Sequence, residues 1–149
     1  MIYLATDHAG FELKEKIKQF LITQGHQIED FGAFQFDEND DYPDFISKAA
    51  EAVSNNPDRK AIILGGSGQG EAIVANKFPN IRACVYYGKI EQIPALSRQH
   101  NDANVLSLGA RFLTAEEAIT AVKLFLETQF TSEERHIRRI EKITNLETK

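Results

Sequence analysis

Lys60-Ala61-Ile62-Ile63-Leu64-Gly65-Gly66-Ser67-Gly68-Gln69-Gly70-Glu71-Ala72 opens with an apolar run, passes through four glycines in six residues and enters an amphipathic stretch. The run 61–64 is continuously apolar rather than alternating, the pattern of a strand covered on both faces. Ala83-Cys84-Val85-Tyr86 repeats it. Strands of this kind need helices above and below them, so the segment points to a parallel sheet between helical layers in an α/β fold.

The rest of the chain alternates in the same way. Strand-like runs at 2–6, 26–30, 60–64, 81–87 and 105–108 are separated by amphipathic runs at 11–24, 44–54, 71–78, 90–100 and 115–128. Phe11, Leu13, Ile17, Phe20 and Leu21 recur at near-helical spacing, and Gly25 supplies the stop. Thr114-Ala115-Glu116-Glu117 predicts a capping box in which Glu117 reaches back to the Thr114 amide. His26 falls within a predicted strand and reads as structural. The acidic, aperiodic segment 34–44 reads as a surface loop. A further helix is expected over 132–146, capped by Thr131 or Ser132 with Glu133 and Glu134 in its first turn. Its apolar residues Ile137, Ile140 and Ile143 make only a narrow stripe, suited to an edge or to a second subunit. No linker or low-complexity tract interrupts the pattern, so residues 1–149 are expected to form one domain.

A net charge of −5 gives no basic field to attract nucleic acid or an anionic membrane, so an anion must be held by a local cluster. The single cysteine, Cys84, excludes an internal disulfide and fits a reducing compartment, the cytoplasm. The start MIYLATDHAG lacks the pattern of a secretion signal, and no run approaches the roughly 20 apolar residues of a membrane helix.

The glycine loop lies at the carboxyl end of a strand, where open α/β sheets place ligands, and glycines let backbone amides turn towards an anion at close range. Two nucleotide readings fail at one residue. A P-loop needs Lys-Ser/Thr where Glu71-Ala72 stand, and a dinucleotide fingerprint started at Gly66 needs a small residue at 71. Glu71 reads instead as a base. In a first helical turn the dipole favours its ionised form by about 0.3–1 kcal/mol, and amides around Ser67 to Gly70, with the Ser67 hydroxyl, would stabilise a neighbouring oxyanion. An ordinary helix-capping glutamate is the competing reading. No metal site emerges, because His8, His26, His100 and His136 lack metal-binding spacing.

Taken together, Thr6-Asp7-His8-Ala9-Gly10, Asp41-Tyr42-Pro43-Asp44, the segment Gly65 to Glu71, Ala75-Asn76-Lys77, Ser97-Arg98-Gln99-His100-Asn101-Asp102, Gly109-Ala110-Arg111 and Arg135-His136-x-x-Arg139 closely resemble ribose-5-phosphate isomerase type B, in order and over nearly the whole chain. The resemblance implies a three-layer Rossmann-like sandwich with a five-stranded parallel sheet and an extra C-terminal helix. It implies interconversion of ribose 5-phosphate and ribulose 5-phosphate, a step of the pentose phosphate pathway, without metal or other cofactor. It also implies a homodimer or tetramer whose active sites are shared between subunits. Some members carry a cysteine base immediately before the Gly-Ser/Thr-Gly segment. Gly65 stands there, so the chain resembles the glutamate subgroup, with Glu71 as base.

On that resemblance the catalytic set is Glu71, His100 and Ser67, with His100 opening the sugar ring, for which a side chain titrating near neutrality is suited. Without the motif, His100 would read as a solvent-facing charge at a helix end. The substrate-binding set is Asp7, His8, Gly66, Ser67, Gly68, Gly70, Asn101, Arg111, Arg135 and Arg139. Asp7 is expected on sugar hydroxyls or as a helix cap, and His8 on phosphate. Arg135 and Arg139, four apart on one helical face, would converge on phosphate, unless they merely pair with Glu133, Glu134 and Glu141. Arg111 would balance the anion or enediolate, and Asn101 would bond its oxygens. Tyr42 either lines the pocket or serves the turn before Pro43. Two alternatives stay open: a six-carbon substrate such as allose 6-phosphate or galactose 6-phosphate, and a phosphosugar-binding module without catalysis.

Overall fold

The computed structural model describes residues 1–147. Five strands, β1 (Ile2–Thr6), β2 (Ile28–Asp30), β3 (Lys60–Gly65), β4 (Ala83–Tyr86) and β5 (Val105–Gly109), form one parallel sheet in the order β2-β1-β3-β5-β4. Six α-helices connect or follow them: α1 (Phe11–Thr23), α2 (Pro43–Asn55), α3 (Gln69–Ala75), α4 (Ile93–Asn101), α5 (Ala115–Glu127) and α6 (Glu134–Glu147). This is the Rossmann-like architecture expected.

Successive strand residues feed two cores on opposite faces of the sheet. Ile2, Leu4, Ile62, Leu64, Leu106 and Leu108 pack with Ile17 and Leu21 of α1 and with Val122 and Phe125 of α5. Tyr3, Ala5, Ala61, Ile63 and Val105 pack with Ile46, Ala49, Ala50 and Val53 of α2 and with Ala75 of α3. In β3 both halves of the period-two alternation are therefore apolar, which is why residues 61–64 read as an unbroken run. The same reading fails for β4: at the sheet edge Ala83, Cys84 and Val85 are only partly buried, and Tyr86 alone is fully covered. The other edge, β2, keeps three residues, and His26 lies exposed in the approach to it rather than in a strand.

The other edge devices are polar. Lys14 of α1 is fully buried, with Nζ 2.7 Å from both carboxylate oxygens of Asp30 and 2.9 Å from the Ala33 carbonyl. Burial opposes ionisation of Asp30, but hydrogen bonds from Lys14, the Gly32 amide and Lys18 outweigh it and hold its pKa below the usual value. Thr114 and Glu117 form the expected reciprocal capping box. The C-terminal helix begins at Glu134, and only His136 on it is buried. Its stripe remains largely open, with Ile137 and Ile143 exposed.

Candidate active site

Strand order reverses between β1 and β3, so their carboxyl ends form the switch-point crevice of this sheet. Thr6 pairs with Leu64, and its hydroxyl donates to the Leu64 carbonyl at 3.0 Å, so Asp7 leaves β1 level with Gly65 leaving β3. Gly65 in turn pairs with Gly109 of β5, after which the amides of Ala110 and Arg111 donate to the carbonyls of Gly65 and Gly66. Three loop starts thereby converge, carrying Asp7 and His8, the glycine loop, and Arg111.

Each glycine of the loop answers to a neighbour. The Glu71 carboxyl group lies across Gly65, whose missing Cβ would coincide with it. Arg111 lies over Gly66, with its guanidinium 3.0–3.3 Å from the position a Cβ would take. Gly68 adopts φ +78° and starts α3, and its carbonyl accepts from Ser107 at 2.7 Å. Gly70 receives the Tyr42 phenol, whose oxygen stands 2.5 Å from where a Cβ would be. The Tyr42 backbone precedes Pro43 at the start of α2, the turn role expected of it. The Ser67 hydroxyl accepts from the Gln69 amide at 3.3 Å.

Glu71 is buried, at 4% exposure. Burial pushes its pKa above the usual carboxylate value; its own amide opposes this and the charge of Asp7 adds to it. The expected stabilisation of the ionised form by the helix dipole is outweighed. Desolvation, not the first helical turn, dominates, and the result is a stronger base than a surface glutamate. Asp7, also buried, accepts from the Ala9 amide at 3.0 Å and so caps the short 3-10 turn His8–Gly10.

His8 is held by Asp40, a residue of the acidic segment 34–44. Asp40 Oδ1 accepts from the His8 backbone amide at 3.0 Å and meets His8 Nδ1 at 2.6 Å. That hydrogen bond raises the His8 pKa against burial; Asp7 adds to the rise and Arg111 opposes it. Among the described residues, Asp7, His8 and Asp40 bring three metal-ligating atoms within 4.8 Å of one another. Two ligand atoms on a tetrahedral zinc at about 2.0–2.1 Å would stand about 3.3 Å apart, so the 2.6 Å pair is a shared-proton contact rather than half of an ion cage.

His100, Asn101, Arg135 and Arg139 are not brought to this crevice within the chain. Helix α4 returns to the amino edge of the sheet before β5 starts, and Arg82, which precedes β4, bonds the carbonyls of Asn101 and Asp102 there. β5 alone separates the two edges by roughly 13 Å, four steps of about 3.3 Å. Helix α6 lies at the same amino edge: Thr131 bonds the Gln99 carbonyl, the His136 ring stacks on His100 at 4.7 Å, and the Asn80 amide donates to Glu147. Arg135 is exposed and pairs with Glu133 at 3.1 Å. Arg98 of the same motif is structural, buried against Asp102 at 2.7 Å and the Ala103 carbonyl at 2.6 Å. Cys84 lies in β4 near the Val105 carbonyl, away from the glycine loop. A cleft of ≈ 380 Å³ borders Ser67 on the side of Tyr87, Phe112 and Glu117, but Asp7, His8 and Glu71 do not line it.

A buried carboxylate beside a glycine-rich loop at the switch point of a parallel α/β sheet is an arrangement suited to proton transfer on a small ligand. The sequence model of the ribose/galactose isomerase family matches residues 2–143. The chain is 44% identical over 146 residues to ribose-5-phosphate isomerase B of Mycolicibacterium paratuberculosis, covering 98% of this chain and 91% of that protein. It superposes with TM-score 0.95 and 41% identity on ribose-5-phosphate isomerase B from Mycoplasma genitalium with bound ribulose 5-phosphate, covering 99% and 96% of the two chains. The Clostridium thermocellum ribose-5-phosphate isomerase B superposes with TM-score 0.92 at 40% identity, covering 99% and 97%. The chain therefore belongs to the ribose/galactose isomerase family.

Proposed function

We propose that this chain, as one domain, interconverts ribose 5-phosphate and ribulose 5-phosphate in the cytoplasm, with Glu71 carrying the proton between C2 and C1. The observation that carries the reading is the Glu71 carboxylate, buried across Gly65 and flanked by Asp7 and the glycine loop at the switch point. Once the ring is open, the carboxylate takes the C2 proton, and the electron pair moves through the C1–C2 bond to the aldehyde oxygen, leaving an enediolate. Loop amides from Gly66 to Gly70, with the Ser67 hydroxyl, face the negative oxygen, and Arg111 balances its charge. Glu71 returns the proton to C1 as the O2 proton passes to O1 and the C2 carbonyl forms, giving the ketose. C1 and C2 exchange oxidation level within one molecule, so the step calls for no redox cofactor.

The site is completed by a second copy of the chain in a homodimer. The support is the separation just described, since Glu71 and His100 stand at opposite edges, together with the open apolar stripe of α6. In this arrangement His100 of one subunit protonates the ring oxygen while the anomeric hydroxyl loses its proton. Asn101 of that subunit bonds the enediolate oxygens, its Arg135 and Arg139 join His8 on the phosphate, and Asp7 holds sugar hydroxyls. The test is conversion of ribose 5-phosphate by the wild type and by Glu71→Gln. Removing a general base costs about 10²- to 10⁴-fold, with KM largely kept. Turnover by Glu71→Gln at the wild-type rate, or faster wild-type conversion of a six-carbon phosphate, would defeat the proposal.

A further inference from the structure

We infer that Asp40 is the positioning residue that makes His8 a phosphate ligand of fixed orientation and positive charge. The inference rests on the reading of His8 as a phosphate group's partner and extends it to a residue thirty-two positions away in the acidic loop.

The geometry is specific. One carboxylate oxygen, Asp40 Oδ1, accepts from the His8 backbone amide at 3.0 Å and contacts the His8 ring at Nδ1, at 2.6 Å. A carboxylate offers only acceptors, so the ring proton between them sits on Nδ1. Nε2 is then the atom left for substrate, and it donates to phosphate only when the ring carries both protons. Phosphate monoesters are largely dianionic at pH 7, so a charged donor serves them best. The side chain of Asp40 is about nine-tenths buried, at 9% exposure, and its other oxygen, Oδ2, is buried without a partner among the described residues. Burying an unpaired carboxylate oxygen disfavours the fold, so its placement is better explained by what Oδ1 does for His8 than by loop anchoring.

The charged groups facing His8 come from three elements. Asp40 comes from the acidic loop, and Asp7 from the imidazole's own segment at 4.0 Å; both favour the protonated ring. Arg111, from the loop after β5, opposes them. The Phe36 ring meets the imidazole edge-on at 6.0 Å and adds no charge. The net rise above the ordinary histidine value is led by the Asp40 bond, so loss of that carboxylate should expose the opposing effects of burial and Arg111.

The test separates charge from loop structure. Asp40→Asn keeps a side-chain oxygen for the His8 amide and removes the negative charge. With ¹⁵N-histidine enzyme, the titration of His8, assigned through His8→Gln, should lie above 6.5 in the wild type with Nδ1 protonated throughout, and should move down in Asp40→Asn. At a pH between the two measured His8 midpoints, KM for the phosphosugar should rise in Asp40→Asn by up to about tenfold, as expected when a charged donor is replaced by a neutral one, with kcat little changed. Asp40→Ala should raise KM further. A wild-type His8 titrating at or below 6.5 would overturn the inference, even if the variants fail to fold, and so would matching KM–pH curves for the wild type and Asp40→Asn. The His8 titration does not require turnover. A wild type that fails to isomerise any phosphosugar therefore counts against the proposed function and leaves this measurement to judge Asp40 by itself.

Discussion

Residue 65 carries no side chain because residue 71 occupies its place: a Cβ on Gly65 would fall inside the Glu71 carboxyl group, 2.5 Å from Oε2 at the most distant of the three contacts. The carboxylate and the glycine form one unit, and a side chain at 65 would push the carboxylate at 71 out of this position.

Gly65→Ala should therefore cost activity by displacing the carboxylate rather than by straining the backbone, since Gly65 is not among the positive-φ glycines. The expected loss in kcat is on the order of 10²-fold or more, the scale of a lost general base, with the circular dichroism spectrum unchanged. Near-wild-type turnover would mean that Glu71 works from another position.

The pH profile follows from the direction of the Glu71 shift. A base must be ionised, and the pKa of Glu71 is raised above 4.5 by burial, with a further push from Asp7. The acidic limb of kcat/KM should thus lie above pH 4.5 and fall as pH drops through it. Asp7→Asn removes the neighbouring negative charge, so whatever it does to the maximum rate, it should move that limb to lower pH. A limb that stays put or moves up would show that another group sets it.

The separation of Glu71 from His100 predicts complementation. Glu71→Gln and His100→Ala chains, each inactive alone, should regain activity when co-refolded, because a hybrid dimer holds one site with both residues intact. Random pairing restores about a quarter of all sites in a twofold-symmetric dimer. Activity remaining at the level of the separate variants would place both groups in one chain's site.

Lys14 and Asp30 predict a stability effect remote from chemistry. Removing one member of a buried pair typically costs about 3–5 kcal/mol, so Asp30→Asn should lower the urea midpoint at fixed protein concentration, and Lys14→Met should lower it less because Lys18 still bonds Asp30. The folded pKa of Asp30 lies below its unfolded value. Its contribution is therefore present above the unfolded pKa, near 3.9, and is lost as pH falls through the depressed folded value. Asp30→Asn should flatten the wild type's stability loss in that acidic range.

The parts of this architecture legible in the sequence are those with local causes. Apolar runs such as 61–64, the Thr114–Glu117 box and the strand-to-helix glycine loop all declare themselves within a few residues. The incomplete cover of β4 is not legible, because Ala83-Cys84-Val85-Tyr86 resembles a central strand and only strand order places it at an edge. Asp40 was hidden in an acidic loop whose composition matches any solvated turn; its role exists only through a contact across thirty-two residues. The split between Glu71 and His100 follows from chain direction. A loop after a parallel strand lies at the carboxyl edge and the end of the next crossover helix at the amino edge, so the His100 motif and the glycine loop cannot meet within one copy. The folding of Glu71 back over Gly65 is a side-chain outcome that spacing does not determine.

The most direct test of Glu71 as the proton carrier is exchange at C2. Ribose 5-phosphate deuterated at C2 should show a primary isotope effect and release deuterium to water with the wild type, and Glu71→Gln should lose that exchange in proportion to its loss of turnover. Deuterium release by Glu71→Gln at the wild-type rate would show that a different group removes the proton.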